Sequence, residues 1–332
     1  MNSVKMLSVT EEEGGVRLDR WFKWHYPELS HAGLEKLLRT GQVRVDGARS
    51  KSNKRLSVGQ VIRVPPRVGS SVNSQSKSTP RVNERDAELL RDAVLHMDQH
   101  VLVINKPAGL AVQGGSNTVK HLDGMLDVLN FGATERPRLV HRLDKDTSGV
   151  LILARSRKSA TILGESFRSK EARKVYWAIV VGVPRQTAGN ITLSLKKKSG
   201  VGGDKVVVDD NGREAITIYR IIEKAGGKAA WLSLEPVTGR THQLRVHCSE
   251  LGTPILGDSK YGGNTAFFEG SSTGLRQLQL HAKAIRIPNP SGGILEVMAP
   301  LPDHMAKTWR FLGFDEHRES DLFTGNRGGF RL

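Results

Sequence analysis

The stretch VGSSVNSQSKSTP, residues 68–80, constrains this chain more than any other feature. Five of its thirteen residues are serine and none is aromatic. Such a segment cannot bury enough apolar surface to offset the entropy lost on ordering it. It predicts a flexible linker, placed over 68–87, and hence a chain of at least two folded parts. A length of 332 residues allows this, since a domain takes about 100–200. We expect a small module over 14–67 and a large domain over 88–312, where apolar runs and turns alternate regularly. A polar, poorly ordered tail is expected over 313–332, where DEHRES and TGNRGG occur.

In the small module, VRLDRWFKWHY predicts one helix and SHAGLEKLLRT a second. Ser30 is placed to cap the second helix, Gly41 to end it, and Leu34, Leu37 and Leu38 share a stripe. QVRVDG predicts a strand closing on an Asp46-Gly47 hairpin turn, and LSVGQVIRVP a further short strand pair. Charge sets this module apart. Residues 14–69 hold twelve Lys/Arg against four Asp/Glu, which is half of the chain's net +16 in about a sixth of its length. Lys36, Arg39, Arg44, Lys51, Lys54 and Arg55 supply the bulk. One-signed charge at this density predicts a phosphate-binding face. Nucleic acid is favoured over a membrane surface, because no basic helix carries a strong apolar face.

VHRLDKDTSGVLILA, residues 140–154, carries two carboxylates on a turn-rich stretch that runs into a buried-strand sequence. Its D-x-D-x-S-G spacing imitates the start of a calcium loop, but that loop needs a bidentate Glu where Arg155 stands. Two readings remain, of equal weight on the residues alone. Asp144 and Asp146 accept backbone hydrogen bonds in the turn. Alternatively, one of them is a nucleophile or base held at a strand end beside Arg142 and Lys145.

HRLDKDTSG resembles the central motif of the RluA-type pseudouridine synthases at every motif position. Three further stretches resemble that family's other motifs in order: VLVINKPAGLAVQGG at 101–115, RKVYWAIVVG at 173–182 and PVTGRTHQLRVH at 236–247. The basic module resembles the S4-type RNA-binding domain, through RLDRWF at 17–22, LEKLLRTGQVRVDG at 34–47 and VGQVIRV at 58–64. The resemblance implies an α+β fold: a central mixed, mainly antiparallel sheet flanked by helices, plus a small α+β module. It implies that Asp144 is the catalytic carboxylate and that Arg142 enters the RNA helix to displace the target base. Tyr176 is then the aromatic that stacks on the uracil, and Arg245 the guanidinium paired with Asp144. Asp146, Thr147 and Ser148 shape the loop, while Lys36, Arg39, Arg44, Lys54 and Arg55 bind structured RNA. The third motif also makes helical sense. Thr241 is placed to cap a helix reaching about Leu251, with Leu244, Cys248 and Leu251 as its apolar stripe and Arg245 facing elsewhere.

The implied reaction breaks the N1–C1′ bond of uridine, turns the uracil, and rejoins it through C5. No redox change or net hydrolysis occurs, so neither cofactor nor metal is expected. Whether the carboxylate adds to the nucleoside or removes a sugar proton stays open. The loop LAVQGGS at 110–116 and the appended module resemble the RluC-like branch, which implies large-subunit ribosomal RNA as partner. Transfer RNA, or a non-catalytic role as an RNA-binding ribosome-assembly factor, are the alternatives. A glycosidase-like hydrolase needs a second acid across the bond, and Asp146 stands too near in sequence to guarantee it. His242, His247, His281 and Cys248 match no zinc spacing. Cys248, the single cysteine, reads as packing on a helix face. With no apolar run of about 18 residues and no secretory or Arg-rich leader pattern, the expectation is a cytoplasmic monomer.

Overall fold

The computed structural model describes residues 3–66, 82–114, 118, 120–198, 200, 204–268, 276–318 and 322–323. The chain divides into two units, Met1–Arg81 and Val82–Leu332. The core of the linker expected at 68–80 lies outside the described residues.

In the first unit, strands β1 (Lys5–Ser8), β2 (Arg44–Val45) and β3 (Val61–Val64) form an antiparallel sheet in the order β1-β3-β2. Helices α1 (Leu18–His25) and α2 (His31–Arg39) pack with it around Leu18, Trp21, Phe22, Leu34, Leu38 and Ile62. Ser30 caps α2 as expected, its Oγ accepting from the Gly33 N–H at 3.1 Å. Asp46 and Gly47 both take positive φ, 49° and 75°, which is the hairpin conformation that Asp-Gly favours. Two expectations are corrected. The unit starts upstream of residue 14, because β1 pairs with β3. LSVGQVIRVP makes one strand and not two, since Ser57 and Gln60 close a turn before it.

The second unit is built on an eleven-stranded mixed sheet. Its elements run α3 (Glu84–Asp92), β4 (Val94–Met97), β5 (Val101–Lys106), β6 (Arg138–Leu139), β7 (Ser148–Ala154) and α4 (Arg157–Arg168). Then follow β8 (Arg173–Val181), β9 (Ala188–Lys198), β10 (Lys205–Val208), β11 (Arg213–Ala225) and β12 (Ala229–Pro236). The chain closes with α5 (Gln243–Glu250), β13 (Leu280–Pro288), β14 (Ile294–Met298) and α6 (Asp303–Leu312). The main strand order is β10-β9-β11-β12-β8-β13-β7-β5-β4. All pairings are antiparallel except β13 with β7. The α+β expectation is therefore met. Among the described residues, no helix is long and apolar enough to cross a membrane.

The apolar run VLILA is continuous because β7 is buried on both faces. Leu151 and Leu153 face one core cluster, with Leu122, Leu126 and Leu129; Val150, Ile152 and Ala154 face another, with Leu163 and Ile287. Under β8 and β12, Trp177 and Trp231 meet edge to face at 4.5 Å, and Trp309 of α6 closes on Trp231 at 5.4 Å. Two boundaries shift. Helix α3 occupies the end of the expected 68–87 linker, because Ala87 and Leu90 are buried. The polar tail expected at 313–332 contains core residues, because Phe314, Leu322 and Phe323 join the Trp309 cluster.

The parallel contact between β7 and β13 lies directly beneath the HRLDKDTSG loop. Gly149 has φ +110°, and a Cβ built there would sit 2.2 Å from the Ala282 carbonyl oxygen. Beside it, Ser148 Oγ lies 2.9 Å from Nδ1 of buried His281. The Ser-Gly of the motif thus lets two strands approach where the loop must be held. Gly149→Ala is expected to cost about 3 kcal/mol or more, because the clash is backbone on backbone. Thermal unfolding checks this, with Tm lowered by about 6–12 °C.

Candidate active site

The loop between β6 and β7 presents Asp144 half-buried, with Arg142, Lys145 and Asp146 exposed. A backbone hydrogen bond from Thr147 N–H to the Asp144 carbonyl, at 3.2 Å, closes the turn. His141 fastens the loop's start: the Ile152 N–H donates to its Nε2 at 2.8 Å, and its ring stacks on Phe167 at 4.4 Å. Burial first, and then Lys174, pull its pKa down to about 3, so His141 is a neutral structural peg. Asp144 opens on a cavity of about 510 Å³ that is also lined by Arg142, Tyr176, Arg240, Arg245 and Leu280. Asp146 does not line it.

A second anchor lies within NKPAG, where its spacing alone gives it no role. Lys106, the last residue of β5 and the Lys of NKPAG, is fully buried. Its Nζ donates to the carbonyls of Pro107 (2.8 Å), Leu110 (2.9 Å) and Lys145 (3.1 Å). The Gly109 N–H also donates to the Lys145 carbonyl, at 2.9 Å. One ammonium with three donors thus ties the KPAG turn to the loop holding Asp144. Burial pulls its pKa down to about 7, against the opposing charges of Asp146 and Asp144. Lys106→Met keeps the stem but leaves three carbonyls unmatched. It is expected to lose about 2–4 kcal/mol of stability, read from denaturant unfolding.

Tyr176 sits on β8, opposite Leu234 of β12 and Ala282 of β13. Burial raises its phenol pKa, and the Asp144 charge adds to the rise. The ring is therefore neutral beside the carboxylate.

Arg245 departs from expectation. Its Nε and Nη2 reach Asp258 at 2.8 and 2.6 Å, in a pair with both side chains buried. Asp258 lies in the turn after Ile255, which brings its carboxylate beneath α5. Burial opposes the guanidinium charge, and Asp258, with help from Asp144 and Tyr261, more than offsets it and raises the pKa. Arg245 lines the cavity, but the direct Asp144 pair is replaced by a pair with Asp258.

The third motif is organised by Gln243. Its side-chain oxygen accepts from Thr238 Oγ1 (2.7 Å) and the Arg240 N–H (3.0 Å). Its amide donates to the Ile216 carbonyl (2.9 Å) and Thr217 Oγ1 (3.0 Å). Thr241 does not cap α5. His242 holds the N-cap position at φ 52°, without a side-chain cap bond. Helix α5 is buried nearly all round, so the expected stripe is only part of its packing. His242 Nε2 lies 3.9 Å from Asp144 Oδ1, and its Nδ1 lies 2.6 Å from the Tyr261 hydroxyl.

The structure thus brings Asp144, Arg142, Tyr176 and Arg245 to one cavity. Lys36, Arg39, Arg44 and Arg55 are exposed in the first unit, with Lys54 half-buried. Arg44 and Arg55 also donate to backbone carbonyls of that unit, namely Gly41, Gly47 and Gly15.

The sequence profile of the family described as RNA pseudouridylate synthase matches residues 100–250. The chain is 34% identical to the "Ribosomal large subunit pseudouridine synthase C" of Escherichia coli strain K12, over 92% of this chain and 95% of that protein. It is also 34% identical to "RNA pseudouridine synthase 4, mitochondrial" of Arabidopsis thaliana, over 88% of this chain and 78% of that protein. Among solved structures, "Human RNA Pseudouridylate Synthase Domain Containing 4" superposes with a TM-score of 0.57 at 32% identity, covering 69% of this chain and 96% of that one.

Proposed function

We propose, from the premise that this chain belongs to the RluA family of RNA pseudouridine synthases, that it isomerises uridine in large-subunit ribosomal RNA with Asp144 as the reacting carboxylate. The observation that carries the reading is the shared cavity, where the motif carboxylate, Tyr176 and Arg142 meet. A uridine inside folded RNA must first leave its stack, at about a few kcal/mol. Arg142, exposed at the cavity's edge, fills the vacated space. Tyr176 stacks on the extruded uracil, which contributes about 1–3 kcal/mol. Asp144 then acts on the ribose, N1–C1′ breaks, and C5 joins C1′ while the C5 proton leaves.

The ribosomal substrate is supported by the large-subunit relatives, whose similarity extends over 92% of this chain. That extent takes in most of the unit Met1–Arg81. We read this unit as an S4-like RNA-binding module with Lys36, Arg39, Arg44, Lys54 and Arg55 toward phosphates. Incubation with protein-free large-subunit RNA, assembled subunits and bulk tRNA tests the substrate. Pseudouridine is expected in the large-subunit RNA, and its formation in tRNA alone overturns the substrate reading. Deleting residues 1–81 is expected to leave a folded catalytic unit with weaker RNA binding and a shallower salt dependence. Unchanged affinity in a filter-binding titration would give the module another purpose.

A further inference from the structure

Arg245 gives its Nε and Nη2 to Asp258, while its charge still acts on Asp144. His242 Nε2 also approaches the Asp144 carboxylate, 3.9 Å from Oδ1. His242 occupies a left-handed conformation, φ 52° and ψ 20°, at the head of α5. Residues with a Cβ seldom adopt it, and such strain persists where the surroundings over-determine it. Here the surroundings are explicit. The Val206 N–H of β10 lies 3.1 Å from the Tyr261 hydroxyl oxygen, which in turn lies 2.6 Å from His242 Nδ1. A backbone N–H only donates, so the Tyr261 oxygen accepts there and its own proton is free to be given to Nδ1. A neutral imidazole that accepts at Nδ1 carries its proton on Nε2, the atom facing Asp144.

The groups around the imidazole are Asp144, Asp258, Arg245, Lys260 and Tyr261. Burial leads in lowering its pKa, Arg245 and Lys260 add to the effect, and Asp144 and Asp258 oppose it, so the neutral form is favoured. Tyr261 is itself held: its N–H donates to Asp258 at 3.2 Å, and the Arg245 guanidinium lies 5.1 Å from its ring centre. His242 is not among the residues that line the cavity.

We propose that His242, fixed in one tautomer by Tyr261, is the positioning residue of Asp144, its Nε2–H directing one carboxylate oxygen so that the other faces the substrate. At 3.9 Å the two atoms stand beyond hydrogen-bond distance, and they close to it when RNA fills the cavity, as catalytic pairs commonly do. This inference rests on Asp144 being the reacting carboxylate.

The test measures kcat and RNA affinity separately for the full-length chain and five variants: His242→Leu, His242→Gln, Tyr261→Phe, the Tyr261→Phe/His242→Leu double variant and Asp144→Asn. His242→Leu is expected to lower kcat about tenfold to a hundredfold, the usual loss for a hydrogen bond to a charged group. RNA affinity is expected to stay within about threefold. His242→Gln offers an acceptor to Tyr261 and an N–H to Asp144, so it restores most of the rate. Tyr261→Phe keeps the ring, lowers kcat, and shifts the imidazole ¹⁵N signals away from the Nε2–H tautomer. The double variant is no slower than His242→Leu, because both changes cut one path. Should His242→Leu fail to fold, Tyr261→Phe and His242→Gln carry the same test. If Asp144→Asn is inactive while His242→Leu and Tyr261→Phe both keep kcat within about threefold, the positioning role is wrong and the Asp144 reading stands. An active Asp144→Asn overturns both.

Discussion

Asp144→Asn is expected to abolish pseudouridine formation, by about a thousandfold or more, while leaving RNA affinity within about threefold. The substitution is isosteric, so the cavity with Arg142, Tyr176 and Arg245 keeps its shape. What disappears is the charge that, in the proposed mechanism, attacks the ribose or takes its proton. The exposed cations proposed to meet phosphates, Lys36 and Arg39 among them, do not depend on that charge. Asp146→Asn serves as the internal control. Asp146 is exposed and does not line the cavity, so its loss is expected to cost about tenfold at most. Side-by-side single-turnover assays and RNA titrations separate the two carboxylates. A slow Asp146→Asn beside an active Asp144→Asn exchanges their roles.

The second large effect concerns the Arg245–Asp258 pair. Asp258→Ala strips a buried guanidinium of both its hydrogen bonds, at 2.8 and 2.6 Å. Breaking one side of a buried pair costs about 3–5 kcal/mol, so Tm is expected to fall by about 6–20 °C. The same carboxylate accepts from the Lys260 and Tyr261 N–H groups, each at 3.2 Å, so the turn carrying Tyr261 loosens as well. Replacing both partners by apolar residues, as in Arg245→Met/Asp258→Leu, removes the unmatched charge and is expected to recover most of the stability. Activity is expected to stay low, because Arg245 also forms part of the cavity wall and its charge acts on Asp144. Calorimetry and activity therefore diverge in the double variant. Recovery of both together would make the pair purely structural.

The loop that carries Asp144 and the partner of Arg245 differ in how far the sequence made them legible. The motif loop and VLILA were readable because turn chemistry and a buried strand are both local properties. The reason for Ser-Gly was not readable, because the clash it avoids is with Ala282, far along the chain. Ser30 as the α2 cap and Asp46-Gly47 as a hairpin turn followed from their immediate neighbours. Strand β1 was missed because its partner Val61–Val64 lies more than fifty residues away, so only pairing reveals it. The partner of Arg245 was misjudged for the same reason: Asp258 meets it across the end of α5, in the stretch LGDSKYGG that carried no recognised signal. Lys106 and Gln243 stood inside quoted motifs, yet nothing in their spacing announced three carbonyls or a four-bond hub.

If Asp144 drives isomerisation of uridine in large-subunit RNA, as proposed, the C5 hydrogen reports it directly. That atom leaves to solvent when C5 joins C1′, and no other event in the reaction releases it. Large-subunit RNA transcribed with uridine tritiated at C5 is incubated with the purified chain, and tritium in solvent is counted beside mapped pseudouridine. The account predicts tritium release equal to the pseudouridine formed with the parent chain, and none above background with Asp144→Asn. Equal release by Asp144→Asn, or no release by the parent from any large-subunit RNA, would contradict it.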